Sequence, residues 1–385
     1  RCRNLAFLTD KYLCTSGRIL CPRFGDMVAV RYDALGDSMK TRVCCLHSAK
    51  DIRVETRDVA PPQAGEVRVA LGAGGICGSD LHYYQHGGFG VVRVREPIIL
   101  GHEAAGFVAE IGAGVTGLKV GDMVALNPST NCGKCEYCVQ GLEMHCTDMI
   151  FNGSAMRMPH VQGFYRDQMT VDARQCVPVT GDVAVSEAAC SEPLAVCMHA
   201  VSLAGDLKGK RVLVTGAGPI GVLCVALAKE AGAAEIVVTD LQKVPLDVAS
   251  EMGATKVVNV IDDADTLQAY ARGKGYFDVA FECTGVASAL VSALGALRPR
   301  GVIVQVGMAG DTAVPLGILV AKEITHRGTF RFHSEFQDAV DAISTRRIDV
   351  RPMITAQMPV ENAEEAFELA GDRTRAVKVH LVFNT

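Results

Sequence analysis

The feature that most constrains the fold is a glycine-rich segment near the middle of the chain. It follows directly on the apolar run Lys210–Thr215, opens a helix-like run, and consists of Gly216, Ala217, Gly218, Pro219, Ile220 and Gly221. In a G-x-G-x-x-G motif the first glycine permits a tight turn, the second lets the backbone approach a phosphate, and the third lets the helix lie close to the sheet. This strand–turn–helix unit predicts a dinucleotide at the helix N-terminus, where the helix dipole favours negative charge.

Asp240 is a candidate for the acidic residue that follows a dinucleotide-binding glycine motif about 20 residues further along the chain. It ends the next apolar run, 24 residues after Gly216. A carboxylate there accepts hydrogen bonds from the adenosine ribose and repels a 2′-phosphate, and Lys243 is the only cation nearby. We therefore expect NAD to be preferred over NADP. Two plainer interpretations stay open: a tight turn without a ligand, and Asp240 as a helix cap.

Around this motif, short apolar runs alternate with helix-length segments. The runs are 212–214, 236–239, 257–260, 278–281, 302–306 and 324–330, and the clearest helical segments are 219–231 and 287–297. Buried strands joined by crossovers predict an α/β fold with a doubly wound parallel sheet. Residues 39–191 have short β-like runs punctuated by glycines, which predicts a β-barrel-like domain. A helical run at 336–345 and a strand-like tail at 376–382 follow, and the tail could complete the first domain.

Length and charge exclude several classes of protein. At 385 residues the chain exceeds the usual size of a single core, so two or three domains are expected. The net charge of −5 leaves no basic surplus to neutralise phosphates, so nucleic acid is not expected as a partner. No apolar run of the sequence approaches the roughly 18 residues of a membrane span, so a membrane is not expected either.

Residues 1–38 differ from the rest of the chain. They carry three cysteines, one proline and no clear period, and the pattern becomes regular only after Met39. We expect Met39 to be the natural start and the leader to be upstream or non-native sequence. A processed targeting segment is the alternative, although the apolar run around Leu5–Leu8 is too brief for a signal-peptide core. The fold is therefore predicted from Met39 onward.

Four of the fifteen cysteines have the spacing of a metal site. Cys132, Cys135, Cys138 and Cys146 form C-x2-C-x2-C-x7-C. Tetrahedral zinc takes four thiolates at about 2.3 Å, and two-residue gaps let neighbouring thiolates turn to one centre. Because every position is filled, the pattern indicates a structural zinc that holds a loop. Free or disulfide-linked cysteines and an iron–sulfur cluster are the alternatives, and a chain of this length fits reduced thiols in the cytosol better than a disulfide framework.

Three further segments carry side chains that could act in catalysis or bind a metal, although each alone is common in proteins. Cys77 lies in a Gly-Ile-Cys-Gly-Ser-Asp-Leu-His segment, His102 and Glu103 are adjacent, and Glu192 precedes a proline. A lone cysteine is usually a small core residue, and a lone histidine usually has its hydrogen bonds satisfied within a core. Each position taken separately therefore predicts little.

At these residues the chain resembles the zinc-containing medium-chain dehydrogenases, within the branch that acts on polyols and sugar acids. The resemblance runs from about Met39 to the end, and is carried by 74–85 (GGICGSDLHYYQ), 146–149 (CTDM), 153–156 (GSAM), 192–196 (EPLAV), 274–279 (KGYFDV), 330–336 (FRFHSEF) and the tail AGDRTRAVKVHLVF. It implies a GroES-like catalytic domain at 39–190 with 334–385, a structural zinc lobe at 127–150, and a Rossmann NAD-binding domain at 191–333.

The resemblance also implies roles for individual residues around a catalytic zinc. Cys77 and His102 would hold the metal together with an acid, either Glu103 or Glu192, and with the structural site this makes two zinc ions per chain. Asp80 would orient His102. Ser79 and His82 would carry the proton to solvent.

Cofactor and substrate residues follow from the same resemblance. The nicotinamide would lie near Thr284, Gly285, Val306, Gly307 and Met308, and the substrate near Tyr83, Phe151, Arg331 and Phe332. Pro245 departs from the family, because relatives often have an arginine there near the adenosine. That departure leaves the cofactor affinity open, and it also disfavours NADP.

The function implied is the oxidation of a secondary alcohol of a sugar acid or polyol, with hydride transfer to NAD. A sorbitol-, threonine- or butanediol-type dehydrogenase is the alternative within the family. A non-catalytic NAD-binding zinc protein belongs to a different class, and should have lost the catalytic ligands or Ser79. Relatives are dimers or tetramers, so a cytoplasmic homo-oligomer acting on a small molecule is expected.

Overall fold

The computed structural model describes residues 39–308 and 310–383. The expectations about the leader at 1–38 lie outside the described residues. Four short 3₁₀ turns connect the regular elements, at Glu143–His145, Ala173–Gln175, Arg351–Met353 and Val360–Asn362.

The first part of the chain is mainly β-structure, as its glycine-punctuated runs predict. Its strands are β1 (Met39–Ser48), β2 (Asp51–Val59), β3 (Glu66–Gly75), β4 (Gly88–Phe89), β5 (Val92–Arg93), β6 (Ile98–Ile99), β7 (Glu103–Ile111), β8 (Met123–Leu126), β9 (Ser129–Thr130), β10 (Ile150–Phe151), β11 (Gln168–Asp172) and β12 (Cys176–Pro178). The helices here are α1 (Gly78–His86), α2 (Glu136–Val139) and α3 (Val185–Ala188). Short strands and tight turns leave loops free to carry metal ligands.

The second part alternates helices and strands. It contains α4 (Ser191–Ala204), β13 (Arg211–Thr215), α5 (Pro219–Glu230), β14 (Glu235–Asp240), α6 (Lys243–Met252), β15 (Lys256–Asn259), α7 (Ala264–Tyr270), β16 (Phe277–Glu282), α8 (Ala287–Ala296), β17 (Leu297–Gln305), α9 (Leu316–Lys322), β18 (Thr325–Gly328) and α10 (Glu335–Ser344). The strands form one parallel sheet in the order β15-β14-β13-β16-β17-β18. The predicted doubly wound sheet is confirmed, and its strand order reverses between β13 and β16, where such sheets bind ligands.

The chain then returns to the first part through β19 (Ile354–Pro359), α11 (Ala363–Gly371) and β20 (Lys378–Val382). Strand β20 pairs antiparallel with β3, so the main β-rich sheet has the order β12-β8-β7-β3-β20-β19, with β11 also on β3. The strand-like tail thus completes the first sheet. The return brings the C-terminal residues beside the loop that follows β3.

Two large hydrophobic cores hold these layers together. One lies inside the β-rich part, and the other surrounds α4, α5 and the parallel sheet. The apolar face of α10, with Phe336, Ala339 and Ile343, is buried in that second core. The boundary expected at 333–334 assigns α10 to the first domain. In the structure, however, α10 packs in the same core as α4. None of the helices in the described residues combines the length and apolarity needed to cross a bilayer.

Candidate active site

Cys77, His102 and Glu103 converge although they are far apart in sequence. One ligand atom from each lies within 4.8 Å of the other two. Strand β3 ends just before Cys77, and its neighbour β7 begins at Glu103, with Gly75 and Glu103 paired across the sheet. A Cβ atom on Gly75 would overlap the Glu103 carboxylate, so the glycine makes room for this side chain. A thiolate, an imidazole and a carboxylate at this separation fit zinc and leave a fourth tetrahedral position for substrate.

Asp80 organises this cluster from the first turn of α1. Its carboxylate accepts hydrogen bonds from the backbone N–H of Cys77 at 3.1 Å and from the Tyr165 hydroxyl at 2.8 Å. Its Oδ1 also lies 3.6 Å from Nδ1 of His102, an electrostatic contact slightly too long for a hydrogen bond. Because Asp80 faces Nδ1, the other ring nitrogen of His102 is available to a metal. The position agrees with the expected orienting role.

Lys378 on β20 is a buried partner of the cluster that the sequence analysis missed. Its ammonium forms an ion pair with Glu103, and both side chains are 1% exposed. It also donates to the backbone carbonyl of Ile76 at 3.2 Å. The signal in the sequence was one lysine in the apolar strand AVKVHLV, where an unpaired charge would be costly.

Glu192 lies near the cluster but outside the compact set of three ligands. It occupies the first turn of α4 and is 5% exposed. Burial raises its pKa to about 8, an effect that His102 opposes and Glu103 and Cys77 reinforce. Burial thus favours the protonated form of this carboxyl.

The proposed proton path starts beside Cys77 and reaches solvent. Ser79 is half-buried in the first turn of α1, and His82 is exposed one turn later on the same helix. Residues three apart on a helix share a face. Burial and the neighbouring His86 lower the pKa of His82, which favours the neutral imidazole that can accept a proton.

A cavity of about 270 Å³ is lined by residues that include Phe151, Met156, Arg157 and Arg331, and also by Cys146 of the cysteine quartet, and Phe151 is the lining residue that contacts His102. The Phe151 ring is 5.6 Å from the His102 ring on one side, and the Arg331 guanidinium lies 3.9 Å from its centroid on the other. Tyr83 is buried, with its hydroxyl accepting from the N–H of Ala155 at 3.2 Å. Three of the four expected substrate residues are thus at or near this cavity.

Phe332 is the exception and requires a correction. It is 2% exposed, and its ring packs 5.6 Å from that of Phe336 in the core around the parallel sheet. Arg331 has a positive φ of 54°, so successive side chains of this segment diverge. Arg331 lines the cavity, whereas Phe332 points into the core and does not line that cavity.

The glycine motif takes the geometry expected for a dinucleotide. Gly216 has φ of 88°, Gly218 is the N-cap of α5, and Pro219 stands in its first turn. A Cβ atom on Gly221 would overlap the carbonyl oxygen of Gly216, so only glycine allows this close return.

Asp240 ends β14 at the edge of this loop, where its carboxylate accepts from the N–H of Ala217 at 2.7 Å and of Gln242 at 3.0 Å. It therefore holds the loop backbone, and the N-cap of α6 is Gln242, not Asp240 as the plainer interpretation expected. Oδ1 also accepts from the N–H of Leu241 at 2.7 Å, so Oδ2 is the oxygen with a further lone pair that a ribose hydroxyl can use.

Glu282, which the sequence analysis also missed, connects the two loops expected near the nicotinamide. It is fully buried at the end of β16, and its carboxylate accepts from the N–H groups of Thr284 at 2.8 Å and Gly285 at 2.9 Å. Its backbone carbonyl accepts from Val306 and Gly307, both at 2.8 Å. Met308 follows with 67% of its surface exposed. One buried acid thus fixes both loops at the sheet edge where ligands bind.

The four cysteines of the 127–150 region also meet at one point. Their sulfur atoms all lie within 4.8 Å of one another. Backbone N–H groups point at the sulfurs, from Cys135 to Cys132 and from Cys132 to Cys146, each at 3.3 Å. Backbone hydrogen bonds lower the pKa of Cys135 to about 6, which favours the thiolate that zinc binds. The donor set fits a closed structural zinc site.

Zinc-type ligands at one end of a sheet, combined with a glycine-loop crevice, are shared by zinc- and NAD(P)-dependent dehydrogenases. Residues 63–181 match the alcohol dehydrogenase GroES-like domain, and residues 219–345 match the zinc-binding dehydrogenase domain. The chain belongs to this zinc-binding alcohol dehydrogenase family, which confirms the predicted resemblance and fold class. It is a zinc-dependent, NAD(P)-linked dehydrogenase.

Individual proteins of this family are similar to the chain over most of its length. The chain is 44% identical over 346 residues to L-idonate 5-dehydrogenase (NAD(P)(+)) of Escherichia coli K12, covering 90% of this chain and 99% of that one. The crystal structure of the Escherichia coli L-idonate 5-dehydrogenase superposes with a TM-score of 0.86 over the same shares of the two chains. Sorbitol dehydrogenase of Gallus gallus is 35% identical over 341 residues, covering 87% of this chain and 94% of the relative.

Proposed function

We propose that this dehydrogenase oxidises a secondary alcohol of a sugar acid, with L-idonate as the best candidate and 5-keto-gluconate as its product. The proposal rests on the partners of the Arg331 guanidinium. Within the described residues it forms no ion pair, and its one hydrogen-bonding contact is Sδ of Met156 at 3.4 Å. Arg157 of the same cavity is already paired with Asp148 at 2.9 Å. An unpaired guanidinium beside the cluster suits a substrate carboxylate, which it can grip through two parallel hydrogen bonds.

The chain's own residues support the chemistry of alcohol oxidation. Zinc, held by Cys77, His102 and Glu103, would supply a Lewis acid that lowers the pKa of the substrate hydroxyl. Glu103 is the better direct ligand because it belongs to the compact set of three, and Glu192 lies just outside it. Ser79 would take the hydroxyl proton, which would then pass through the cofactor ribose to exposed His82 and solvent. The nicotinamide, positioned by the loops that Glu282 fixes, would accept the hydride.

NAD as the preferred cofactor and two zinc ions per chain belong to the same proposal. Asp240 at the end of β14 supports NAD, since its charge opposes a 2′-phosphate on the adenosine ribose. The three-ligand and four-cysteine clusters each support one zinc ion. The cysteines of the described residues are free thiols, which supports a reducing compartment such as the cytoplasm.

A homo-oligomer is the proposed assembly. Strand β18 lies at the edge of the parallel sheet and pairs only with β17. The neighbouring helix α9 has no buried residue, and Leu316 and Val320 on one of its faces are 68% and 77% exposed. An unpaired edge beside exposed apolar side chains is a surface that a second copy would cover.

The test compares L-idonate with sorbitol in wild type, Arg331→Lys and the control Arg157→Lys. We expect Arg331→Lys to lower kcat/KM for L-idonate about tenfold or more beyond its effect on sorbitol, because lysine cannot form the paired hydrogen bonds. Arg157→Lys, whose partner is Asp148, should affect both substrates alike. Equal losses for both substrates in Arg331→Lys would contradict recognition of a carboxylate.

A neutral polyol is the second candidate substrate, and one observation favours it. The Arg331 guanidinium lies over the Phe151 ring, a position from which it can donate single hydrogen bonds to hydroxyl groups. If the substrate is a neutral polyol, wild type should have a higher kcat/KM for sorbitol than for L-idonate. A panel of polyols and sugar acids, followed by NADH absorbance, separates the two.

A further inference from the structure

The guanidinium of Arg373 lies against the glycine loop although the two are far apart in the chain. Arg373 belongs to the short connection between α11 and β20, outside the parallel sheet. A Cβ atom on Gly218 would overlap Nη2 of Arg373, so the two groups touch over the backbone of the loop. Gly218 is also the N-cap of α5, where backbone N–H groups are left without helical partners.

Within the part of the chain that the structure describes, Arg373 forms no ion pair, and Asp240 is the acid whose charge acts on it. The side chain is half-buried, and among the described residues it forms neither a hydrogen bond nor an ion pair. Its neighbour Asp372 accepts instead from the N–H and hydroxyl of Thr374, at 3.0 and 2.6 Å. Burial lowers the pKa of Arg373, while the charge of Asp240 opposes that shift. A guanidinium has five N–H donors, and burying them without acceptors costs free energy. A half-buried guanidinium without partners therefore indicates an anion-binding site.

The surroundings define which anion fits. The N-terminus of α5 and the arginine both favour negative charge, and Gly218 carries no side chain that would keep a ligand away. Asp240 borders the same space, with one carboxylate oxygen bound to the loop N–H of Ala217 and the other to the N–H groups of Leu241 and Gln242, and its charge would repel an anion towards Gly218 and Arg373. A phosphate group meets these conditions, because arginine and helix N-termini both bind phosphate oxygens.

We propose that Arg373 is a phosphate-binding residue of the dinucleotide site, contributed by the C-terminal segment. This rests on the proposed position of the cofactor at Gly216–Gly221. The phosphate is either the pyrophosphate common to NAD and NADP or the 2′-phosphate of NADP, and the geometry at the start of α5 favours the pyrophosphate. Arg373 thereby supplies positive charge at the glycine loop, against the N-cap of α5.

The test measures binding of NADH and NADPH by fluorescence titration, and of ADP-ribose and adenosine by calorimetry or competition. Arg373→Gln should weaken NADH and ADP-ribose by roughly 10- to 100-fold, since hydrogen bonds to a charged group are the strong ones. Adenosine, which has no phosphate, should bind with unchanged affinity. Arg375→Gln is the matched control, because Arg375 is two residues away, exposed, and next to Glu364 and Glu368 instead of the loop. It should leave every affinity unchanged.

Each outcome of these binding measurements supports or overturns the role of Arg373. A loss confined to NADPH keeps Arg373 as a phosphate-binding residue and assigns it to the 2′-phosphate. Unchanged affinities for NADH, NADPH and ADP-ribose in a folded Arg373→Gln protein overturn the inference and leave the proposed function standing. A wild-type protein that binds none of these dinucleotides overturns the proposed function and this inference with it. Arg373→Lys should restore part of the lost affinity, as expected for a charge and not for a packing role.

Discussion

At the scale of single residues, two carboxyl groups beside the same metal-binding cluster have opposite surroundings. Glu103 faces the ammonium of Lys378, whereas burial raises the pKa of Glu192 to about 8. A paired carboxylate remains charged and can bind a metal directly. The two glutamates therefore differ in their surroundings.

Replacing Lys378 tests the importance of its pair with Glu103. Lys378→Met leaves a buried carboxylate without its cation, and removal of one partner from a buried ion pair costs about 3–5 kcal/mol. Lys50→Met is the control, because Lys50 pairs with Glu368 while their side chains are 50% and 55% exposed. Exposed pairs contribute about 1 kcal/mol or less. Urea denaturation gives both values, and similar small losses for the two variants would contradict the importance of the buried pair.

His82→Ala tests the proton path. The pKa of His82 is lowered, so the imidazole is neutral and able to accept a proton over most of the neutral range. The variant should lose activity near pH 7, by at most about 100-fold because solvent can bypass an exposed relay. The loss should shrink at alkaline pH, where hydroxide takes the proton. His86→Ala is the neighbouring control, and a pH–rate profile identical to wild type in His82→Ala would remove His82 from the path.

At the scale of elements, the segment 127–150 contains little that could hold it without metal. Its helix α2 has four residues, the turn Glu143–His145 has three, and β9 and β10 have two each. Such short elements bury too little apolar surface to fold alone. We therefore propose that the four thiolates and a bound zinc ion hold this lobe.

Cys135→Ser should remove one zinc ion and loosen the lobe, because a structural metal contributes its binding free energy to folding. Cys77→Ser should lower the other zinc and abolish turnover with a smaller loss of stability. Elemental analysis and thermal unfolding of the two variants give the comparison. Wild-type protein with one zinc ion or none would contradict the two-zinc proposal, and equal unfolding temperatures would contradict the structural role.

At the scale of the whole molecule, one edge of the parallel sheet has no further strand paired to it among the described residues. Edge strand β18 and the exposed side chains of α9 would be an aggregation hazard in a monomer. Val320→Asp places a charge on this face without touching the clusters described above. We expect it to shift the mass measured by light scattering from an oligomer towards the monomer, while Val139→Asp, at an equally exposed position in the cysteine lobe, should not. An unchanged mass in Val320→Asp would place the interface elsewhere.

Local spacing alone predicted the glycine loop and the cysteine quartet. In both cases the residues that act together lie within a few turns of one another, so their geometry follows from short-range backbone preferences. The alternating pattern of strands and helices predicted the parallel sheet for the same reason. The resemblance in sequence then implied that Cys77 and His102 meet an acid, either Glu103 or Glu192, which no spacing could indicate.

Only the tertiary structure showed which side chains complete each site. Lys378 meets Glu103, Arg373 meets Gly218, and Phe332 turns into the core beside Arg331 because strand pairing and helix packing bring distant segments together. These contacts depend on the register of β20 against β3 and on a single backbone conformation at residue 331. Sequence by itself determined the class of fold and the kinds of ligand, since these follow from periodicity and residue chemistry. The fold decided which charges are paired and which remain free, because burial and distance exist only once the chain has closed on itself.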